Sequence, residues 1–209
     1  MLRLLVSAIL VLVATYSQTF AQDVRITPDR SSYSIDVAGK LVTIQRNQNT
    51  NNMLTGEFTK TSRPCPPFCI HPMSAAPGVE TLGELELIGF LEAIVAPGNG
   101  LLLDSRLPEW FQKGTIPGAV NVPFSTLEPS NPYRDQILQA LGGVKAGSGW
   151  DFSAAKELAL FCNGPWCDQS PRAIRSLVDA GYPVGKLHYY RGGMQSWLML
   201  GLTVQTPNA

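Results

Sequence analysis

The sequence predicts an α/β fold in which an open parallel sheet is flanked by helices and preceded by a small β-rich extension. Residues 101–104 and 157–161 are short, mainly apolar runs, which are typical of strands buried on both faces of a parallel sheet. From residue 78 onward, strand-like and helix-like segments alternate, as they do in parallel α/β domains. Before that point, residues 33–37 and 40–45 have strand patterns separated by a short Ala-Gly turn, which indicates a β-hairpin.

The remaining elements of the α/β part follow from apolar spacing and from breaker residues. In residues 81–94 the apolar side chains recur at helical spacing, and a Pro-Gly pair ends the run. The clearest helix follows Ser170-Pro171, a pair typical of a helix cap and a first-turn proline. The same signals predict strands at 119–122 and 186–190 and helices at 131–141 and 195–200.

The first 21 residues have the order of a secretory signal. Arg3 supplies a positive charge, an apolar stretch follows, and small residues precede an expected cleavage site after Ala21. The apolar stretch is shorter than the roughly 20 residues that span a bilayer, although a membrane anchor is the alternative interpretation. We therefore expect an exported, periplasmic protein with three parts: a signal peptide (1–21), a β-rich extension (22–77) and an α/β domain (78–205).

Composition narrows the class of protein. The hydrophobic share of 44% is typical of a globular chain and excludes a disordered one. The formal net charge is zero, without the basic excess of a nucleic-acid-binding protein, so no nucleic-acid partner is expected. The chain has four cysteines, Cys65, Cys69, Cys162 and Cys167, and an even number in an exported chain commonly indicates two disulfides.

Cys162 has the sequence environment of a nucleophile. It follows the predicted strand 157–161 at the carboxyl edge of the sheet, where open α/β folds bind ligands. The free N–H groups and the dipole of the next helix favour an anion, so we expect a lowered pKa for the Cys162 thiol. The alternative is a structural disulfide between Cys162 and Cys167. The loop expected to bind the substrate consists of Asn163, Gly164, Pro165, Trp166, Asp168, Gln169 and Ser170.

Three motifs resemble those of the rhodanese family and occur in the family's order. They are residues 101–121, which begin LLLDSR and end GTIPGAVN, residues 160–162 with the following helix, and residues 191–197, RGGMQSW. The resemblance covers about residues 79–204 and implies the rhodanese fold. Thr115 replaces the usual His of the first motif, and residues 163–169 form a longer loop than in the common form. This Cys-x4-Cys loop is similar to that of an exported bacterial subgroup.

The resemblance implies sulfur transfer without a cofactor. The Cys162 thiolate would attack the sulfane sulfur of a small donor such as thiosulfate or a persulfide. The resulting persulfide would pass its outer sulfur to a thiophilic acceptor, such as a periplasmic thiol protein. Cys167 is then a resolving thiol, half of an oxidised pair, or a spectator. The loop carries Asp168 and no Lys or Arg before Arg172, so it offers little fixed positive charge to a dianion.

Two other functions are open from the residues. One is a non-enzymatic binding or sulfur-carrier module on the rhodanese fold, and the other is a thiol–disulfide redox protein that uses Cys162 and Cys167. Phosphate-ester hydrolysis on the same fold uses a Cys-x5-Arg loop. The sixth residue after Cys162 is Asp168, whose carboxylate would repel phosphate, so this activity is not expected.

Two further groups of residues have more than one interpretation. Cys65 and Cys69 enclose two prolines and form either a local disulfide, a redox-active pair or, with His71, part of a zinc site; we expect no metal. Asp104 and Arg106 either brace a loop through an ion pair or, with Arg191, lie at the rim of the pocket.

Overall fold

The computed structural model describes residues 23–37 and 39–207, and the predicted signal peptide lies outside the described residues. The strands in chain order are β1 (Ser32–Val37), β2 (Lys40–Gln45), β3 (Glu80–Leu82), β4 (Gly100–Asp104), β5 (Ala119–Asn121), β6 (Val144–Ala146), β7 (Gly149–Asp151), β8 (Glu157–Phe161) and β9 (Leu187–Tyr190). The α-helices are α1 (Glu84–Phe90), α2 (Pro108–Lys113), α3 (Arg134–Ala140), α4 (Gln169–Asp179) and α5 (Gly193–Met199). Short 3₁₀ turns occupy Gly56–Thr59, Phe124–Leu127 and Val184–Lys186.

The central sheet has five parallel strands in the order β3-β9-β8-β4-β5, which confirms the predicted α/β architecture. Strand β8 lies in the middle, and its side chains alternate between two hydrophobic clusters. Leu158 and Leu160 lie in one cluster, whereas Ala159 and Phe161 lie in the other. Because β8 pairs with β4 so that Phe161 is opposite Asp104, the two central strands end together. The residue after Phe161 therefore enters the carboxyl edge of the sheet.

The β-rich extension packs on one of these two clusters. Strands β1 and β2 pair as an antiparallel hairpin, as predicted. Ile35 and Ile44 are buried in the same cluster as Leu91 and Trp197 of the α/β part. Since burying such side chains stabilises by about 1.5–3 kcal/mol each, the hairpin and the α/β part hold one another in place.

Residues 81–94, predicted as one helix from their apolar spacing, form the end of a strand followed by a helix. The first residues of that run form strand β3, and Thr81 is paired with Tyr189 of β9. The helix begins only at Glu84 and continues through a π-helical turn at Leu91–Val95. A three-residue edge strand is too short to show a period of its own, so its apolar residues were read as helix. Helix α2 and the β6–β7 hairpin were not predicted.

The helix after Cys162 starts two residues earlier than expected. Helix α4 begins at Gln169, with Asp168 in the cap position, and no side chain caps it. The loop therefore spans residues 163–168, and Ser170 lies inside the first turn rather than at the cap. Within residues 23–37 and 39–207, no helix combines the length and the apolar character needed to cross a membrane.

Candidate active site

Cys162 is fixed between the end of β8 and the start of α5. Its carbonyl oxygen accepts a hydrogen bond from the N–H of Met194 at 3.0 Å, and the carbonyl of Asn163 accepts one from Gln195 at 2.8 Å. Gly193 has a φ of +55°, and a Cβ at this position would overlap the Cys162 carbonyl oxygen. The second glycine of the RGGMQSW motif therefore lets α5 approach the loop at a distance that other residues do not permit.

The sulfur of Cys162 is buried among hydrogen-bond donors. The Ser170 hydroxyl donates to Sγ at 3.1 Å. Burial alone would raise the pKa of Cys162, but hydrogen bonds from the thiol of Cys167, the hydroxyl and N–H of Ser170 and the N–H of Gly164 lower it further than burial raises it. The net result is a lowered pKa, which is the direction that nucleophilic cysteines need. In the protonated form, the Cys162 thiol faces the Cys167 carbonyl oxygen at 3.2 Å.

Cys167 has the opposite tendency. Its pKa is raised, first because its thiol is hydrogen-bonded to Cys162, then because it is buried and lies near the negative charge of Cys162. Its sulfur is 3.6 Å from the side-chain oxygen of Gln169 and 4.0 Å from the side-chain nitrogen of Asn163. The two cysteines are not joined by a disulfide in the structure. The negative charge of the pair therefore belongs on Cys162, while Cys167 keeps its proton.

The remaining loop residues have distinct positions. Gly164 has a φ of +157°, and a Cβ there would lie 2.9 Å from the Cβ of Gln195. The carbonyl of Gly164 accepts the N–H of Cys167 at 2.9 Å, which folds the loop back on itself. The carboxylate of Asp168 lies 3.9 Å from the guanidinium of Arg172, so its charge is partly paired outside the sulfur pocket.

The extension covers this loop. The N–H of His71 donates to the carbonyl of Pro165 at 2.9 Å. The Arg63 guanidinium lies 3.7 Å from the centroid of a Trp166 ring, in cation–π geometry. Phe68 contacts the same Trp166 edge to face, with ring centroids 5.7 Å apart. Residues far apart in the sequence thus hold the outer side of the loop.

A disulfide closes the covering segment. Cys65 and Cys69 are bonded, and their Cα atoms are 4.6 Å apart. This arrangement excludes a zinc site built on the two thiolates, and no cluster of three metal-ligating residues exists in the described ranges. The guanidinium of Arg191 donates to the carbonyl oxygen of His71 at 2.8 Å, which ties the end of β9 to the same segment.

A cavity of about 430 Å³ lies between the extension and the loop. Six of its fourteen lining residues are apolar or aromatic, four are charged, and Ser62, Asn163, Cys167 and Gln169 complete the wall. The charged, apolar and aromatic residues of the wall are Glu57, Lys60, Arg63, Pro64, Pro67, Phe68, Leu107, Trp110, Trp166 and Asp168. A pocket of this size next to a reactive thiol is a candidate substrate site.

Asp104, Arg106 and Arg191, for which a place at the pocket rim was one of two interpretations, do not line this cavity. Asp104 and Arg106 are almost fully buried and form a two-pronged ion pair, with N···O distances of 2.8 and 2.5 Å. Thr115, which stands at the usual His position, donates its hydroxyl to Asp104 at 2.8 Å. The pair braces the chain after β4 instead of facing the cavity, because two buried charges are stable only when paired. Arg191 is occupied by the carbonyl groups of the extension.

Sequence reasoning missed two contributions to the site. Ser170 was expected to cap the helix, but the earlier helix start turns its hydroxyl toward Cys162. Arg63 and Phe68 carried no signal of their own, since their contacts with Trp166 depend on how the extension folds over the loop.

Comparisons with known proteins find similar chains of two kinds, sulfurtransferases and a transcriptional regulator. A thiosulfate:glutathione sulfurtransferase of Homo sapiens is 33% identical over 109 residues, which are 52% of this chain and 87% of that protein. An HTH-type transcriptional regulator of Mycobacterium tuberculosis is 31% identical over 107 residues, 51% of this chain, and the match spans only 38% of the regulator. The structure of a human single-domain sulfurtransferase superposes with a TM-score of 0.39 at 26% identity, covering 59% of this chain and 96% of that one.

The family assignment depends on the extent of the match. The model of the rhodanese-like domain matches residues 89–200, more than half of the 209-residue chain. The matched range includes Cys162, its loop and the RGGMQSW motif, whereas the β1–β2 hairpin and the covering disulfide lie outside it. The chain belongs to the rhodanese-like domain family.

Proposed function

We propose that the chain is a sulfurtransferase that carries sulfane sulfur as a persulfide on Cys162. The observation that carries the proposal is the set of donors around one buried sulfur, formed by Ser170, Gly164 and Cys167. These donors stabilise a thiolate, which is the nucleophilic form of cysteine. They are equally suited to a persulfide anion at the same place.

The reaction has two displacement steps. The Cys162 thiolate attacks the outer sulfur of thiosulfate, the S–S bond breaks, and sulfite leaves with the bonding electrons. A thiolate acceptor then attacks the outer sulfur of the Cys162 persulfide, and the Cys162 thiolate leaves. A lowered pKa helps the second step, because a thiol of low pKa is the better leaving group. An organic persulfide can replace thiosulfate as the donor by the same chemistry.

Intact-protein mass spectrometry tests the proposal. After incubation with thiosulfate and removal of the donor, we expect the mass to increase by one sulfur atom. Cys162→Ser should show no increase, whereas Cys65→Ser/Cys69→Ser should still show it, because that disulfide lies outside the sulfur pocket. Absence of any gain with both thiosulfate and an organic persulfide would refute sulfur transfer.

The two unbonded thiols favour a second candidate function, thiol–disulfide exchange. In that case, oxidised glutathione would convert Cys162 and Cys167 into a disulfide, and a thiosulfate-treated sample would remain at its original mass. The mass of the treated protein therefore distinguishes the two functions.

Export to the periplasm is part of the proposal, and it is supported by the signal-like pattern of residues 1–21. The test is to express the full chain in a Gram-negative host, fractionate the cells and determine the amino-terminal residue of the protein. Cleavage after Ala21 in the periplasmic fraction is the expected result. An uncleaved chain in the cytoplasmic fraction would contradict export.

A further inference from the structure

We infer that Cys167 takes the outer sulfur from the Cys162 persulfide and delivers it to an organic thiol bound in the cavity between the extension and the loop. The inference rests on the proposed persulfide chemistry and adds a second carrier and an acceptor class to it.

The position of the two sulfurs supports this order. Both cysteines are buried, but Cys167, which is 6% exposed, lines the cavity, whereas Cys162, which is 2% exposed, is not among its lining residues. An acceptor in the cavity therefore meets Cys167 first. Seen from the cavity, Cys162 lies behind Cys167. The sulfur of Cys162 is 3.2 Å from the carbonyl oxygen of Cys167, and the Cys167 thiol is hydrogen-bonded to that sulfur.

The cavity indicates the class of acceptor. Its volume of about 430 Å³ is much larger than a small inorganic ion needs. Six apolar residues contribute to its wall: Pro64, Pro67, Phe68, Leu107, Trp110 and Trp166. The charged residues of the wall already have ion-pair partners, since Lys60 and Arg63 lie near Glu57 and Asp168 lies near Arg172. The apolar part of the wall therefore favours a thiol with an aromatic or aliphatic body, which would bury apolar surface there. The extension supplies three of these six residues, so the acceptor is selected partly outside the family-matched range.

The transfer between the cysteines needs no oxidant. The sulfur of Cys167 bonds to the outer sulfur of the Cys162 persulfide, while the bond between that outer sulfur and Cys162 breaks. The electron pair of the broken bond stays on Cys162, which returns to the thiolate. The proton of the Cys167 thiol moves to the outer sulfur. The acceptor thiolate then attacks that outer sulfur, and Cys167 leaves and recovers a proton.

A resolving role for Cys167 gives a different product. Attack on the inner sulfur of the persulfide would form a Cys162–Cys167 disulfide and release sulfide, and a reductant would then be needed for each cycle. The relay differs because it forms no disulfide and leaves the sulfur on Cys167. The two routes can therefore be separated by locating the sulfur.

The experiment uses the whole protein, thiosulfate as donor, and three acceptors: cyanide, 2-phenylethanethiol and 2-mercaptoethanol. After loading, the thiols are trapped by alkylation, and chymotryptic cleavage after Trp166 separates the peptide of Cys162 from that of Cys167. In the wild type we expect persulfide on both peptides. In Cys162→Ser we expect none on Cys167.

The variant Cys167→Ser keeps a hydroxyl in place of the thiol, and persulfide on Cys162 shows that its loop is folded. We expect Cys167→Ser to discharge to cyanide, a small thiophile, but to lose catalysed discharge to 2-phenylethanethiol. Trp110→Ala, which changes the cavity wall and neither sulfur, should remove the wild-type preference for 2-phenylethanethiol over 2-mercaptoethanol.

Each alternative outcome overturns the inference in a recognisable way. Normal discharge of Cys167→Ser to 2-phenylethanethiol would show that Cys162 serves the acceptor directly. A wild-type Cys162–Cys167 disulfide with an equal amount of sulfide would show a resolving thiol. Failure of the wild type to load any sulfur on Cys162 would instead refute the proposed function on which the inference rests.

Discussion

Replacing Ser170 by alanine tests how Cys162 is activated. The substitution removes the hydroxyl that donates to Sγ at 3.1 Å and leaves the backbone N–H groups in place. A hydrogen bond to a charged group contributes about 1.5–3 kcal/mol. Since the hydroxyl stabilises the thiolate and not the thiol to this extent, the pKa of Cys162 should rise in Ser170→Ala.

The assay is the rate of alkylation of Cys162 by iodoacetamide as a function of pH, measured on its chymotryptic peptide. The midpoint should move to higher pH in Ser170→Ala, and thiosulfate loading at a pH below the wild-type midpoint should slow by roughly tenfold or more, which corresponds to the loss of about 1.5–3 kcal/mol. Ser105→Ala is a matched control, because Ser105 is as fully buried as Ser170 but its hydroxyl has no partner in the described ranges. If the midpoints of Ser170→Ala and the wild type agree, the hydroxyl does not activate the thiol.

Three further outcomes are expected. Gly193→Ala should lower the unfolding free energy by at least about 2 kcal/mol in urea titrations, because residue 193 has a positive φ and a Cβ there would overlap the Cys162 carbonyl oxygen. Gly185→Ala is the control: a Cβ at residue 185 would meet no atom within 4 Å, so the unfolding free energy should stay within about 0.5 kcal/mol of the wild type. Asp104→Asn should lower the unfolding free energy by about 3–5 kcal/mol in the same titration, because the buried guanidinium of Arg106 loses its ionic partner. Asp135→Asn, which breaks an exposed ion pair, should lower the unfolding free energy by under about 1 kcal/mol. The loading rate of the wild type should rise with pH as Cys162 ionises, and the midpoint of that rise should lie below the midpoint of an ordinary thiol in the same buffer, since the lowered pKa puts the thiolate at lower pH. A midpoint at or above that of the ordinary thiol would contradict this.

The two central strands could be predicted from the sequence because strands buried on both faces consist of consecutive apolar residues. Strands β4 and β8 are apolar on both faces, and each is bounded by polar or breaker residues, so both were found nearly to the residue. Thr81 and Leu82 were misassigned, since a three-residue edge strand depends on its partner β9 and not on a local pattern.

Fewer of the contacts at the site than of the strands and helices could be predicted from the sequence. The position of Cys162 followed from strand and helix order, but the donor role of Ser170 depends on a two-residue difference in where α4 begins. The stacking of Arg63 on Trp166 depends on tertiary packing between segments about a hundred residues apart in sequence, which no local pattern records.

The hydrophobic cluster that contains Ile35, Ile44 and Trp197 has a consequence for unfolding. The extension is also joined to the other end of the chain, since the N–H of Asn47 donates to Gly201 and the N–H of Thr203 donates to Gln45. We therefore expect the two segments to unfold together as one cooperative unit rather than as separable modules. The loop around Cys162 should then keep its cover until the whole protein unfolds, and excision of the family-matched range alone would remove part of the protein's core.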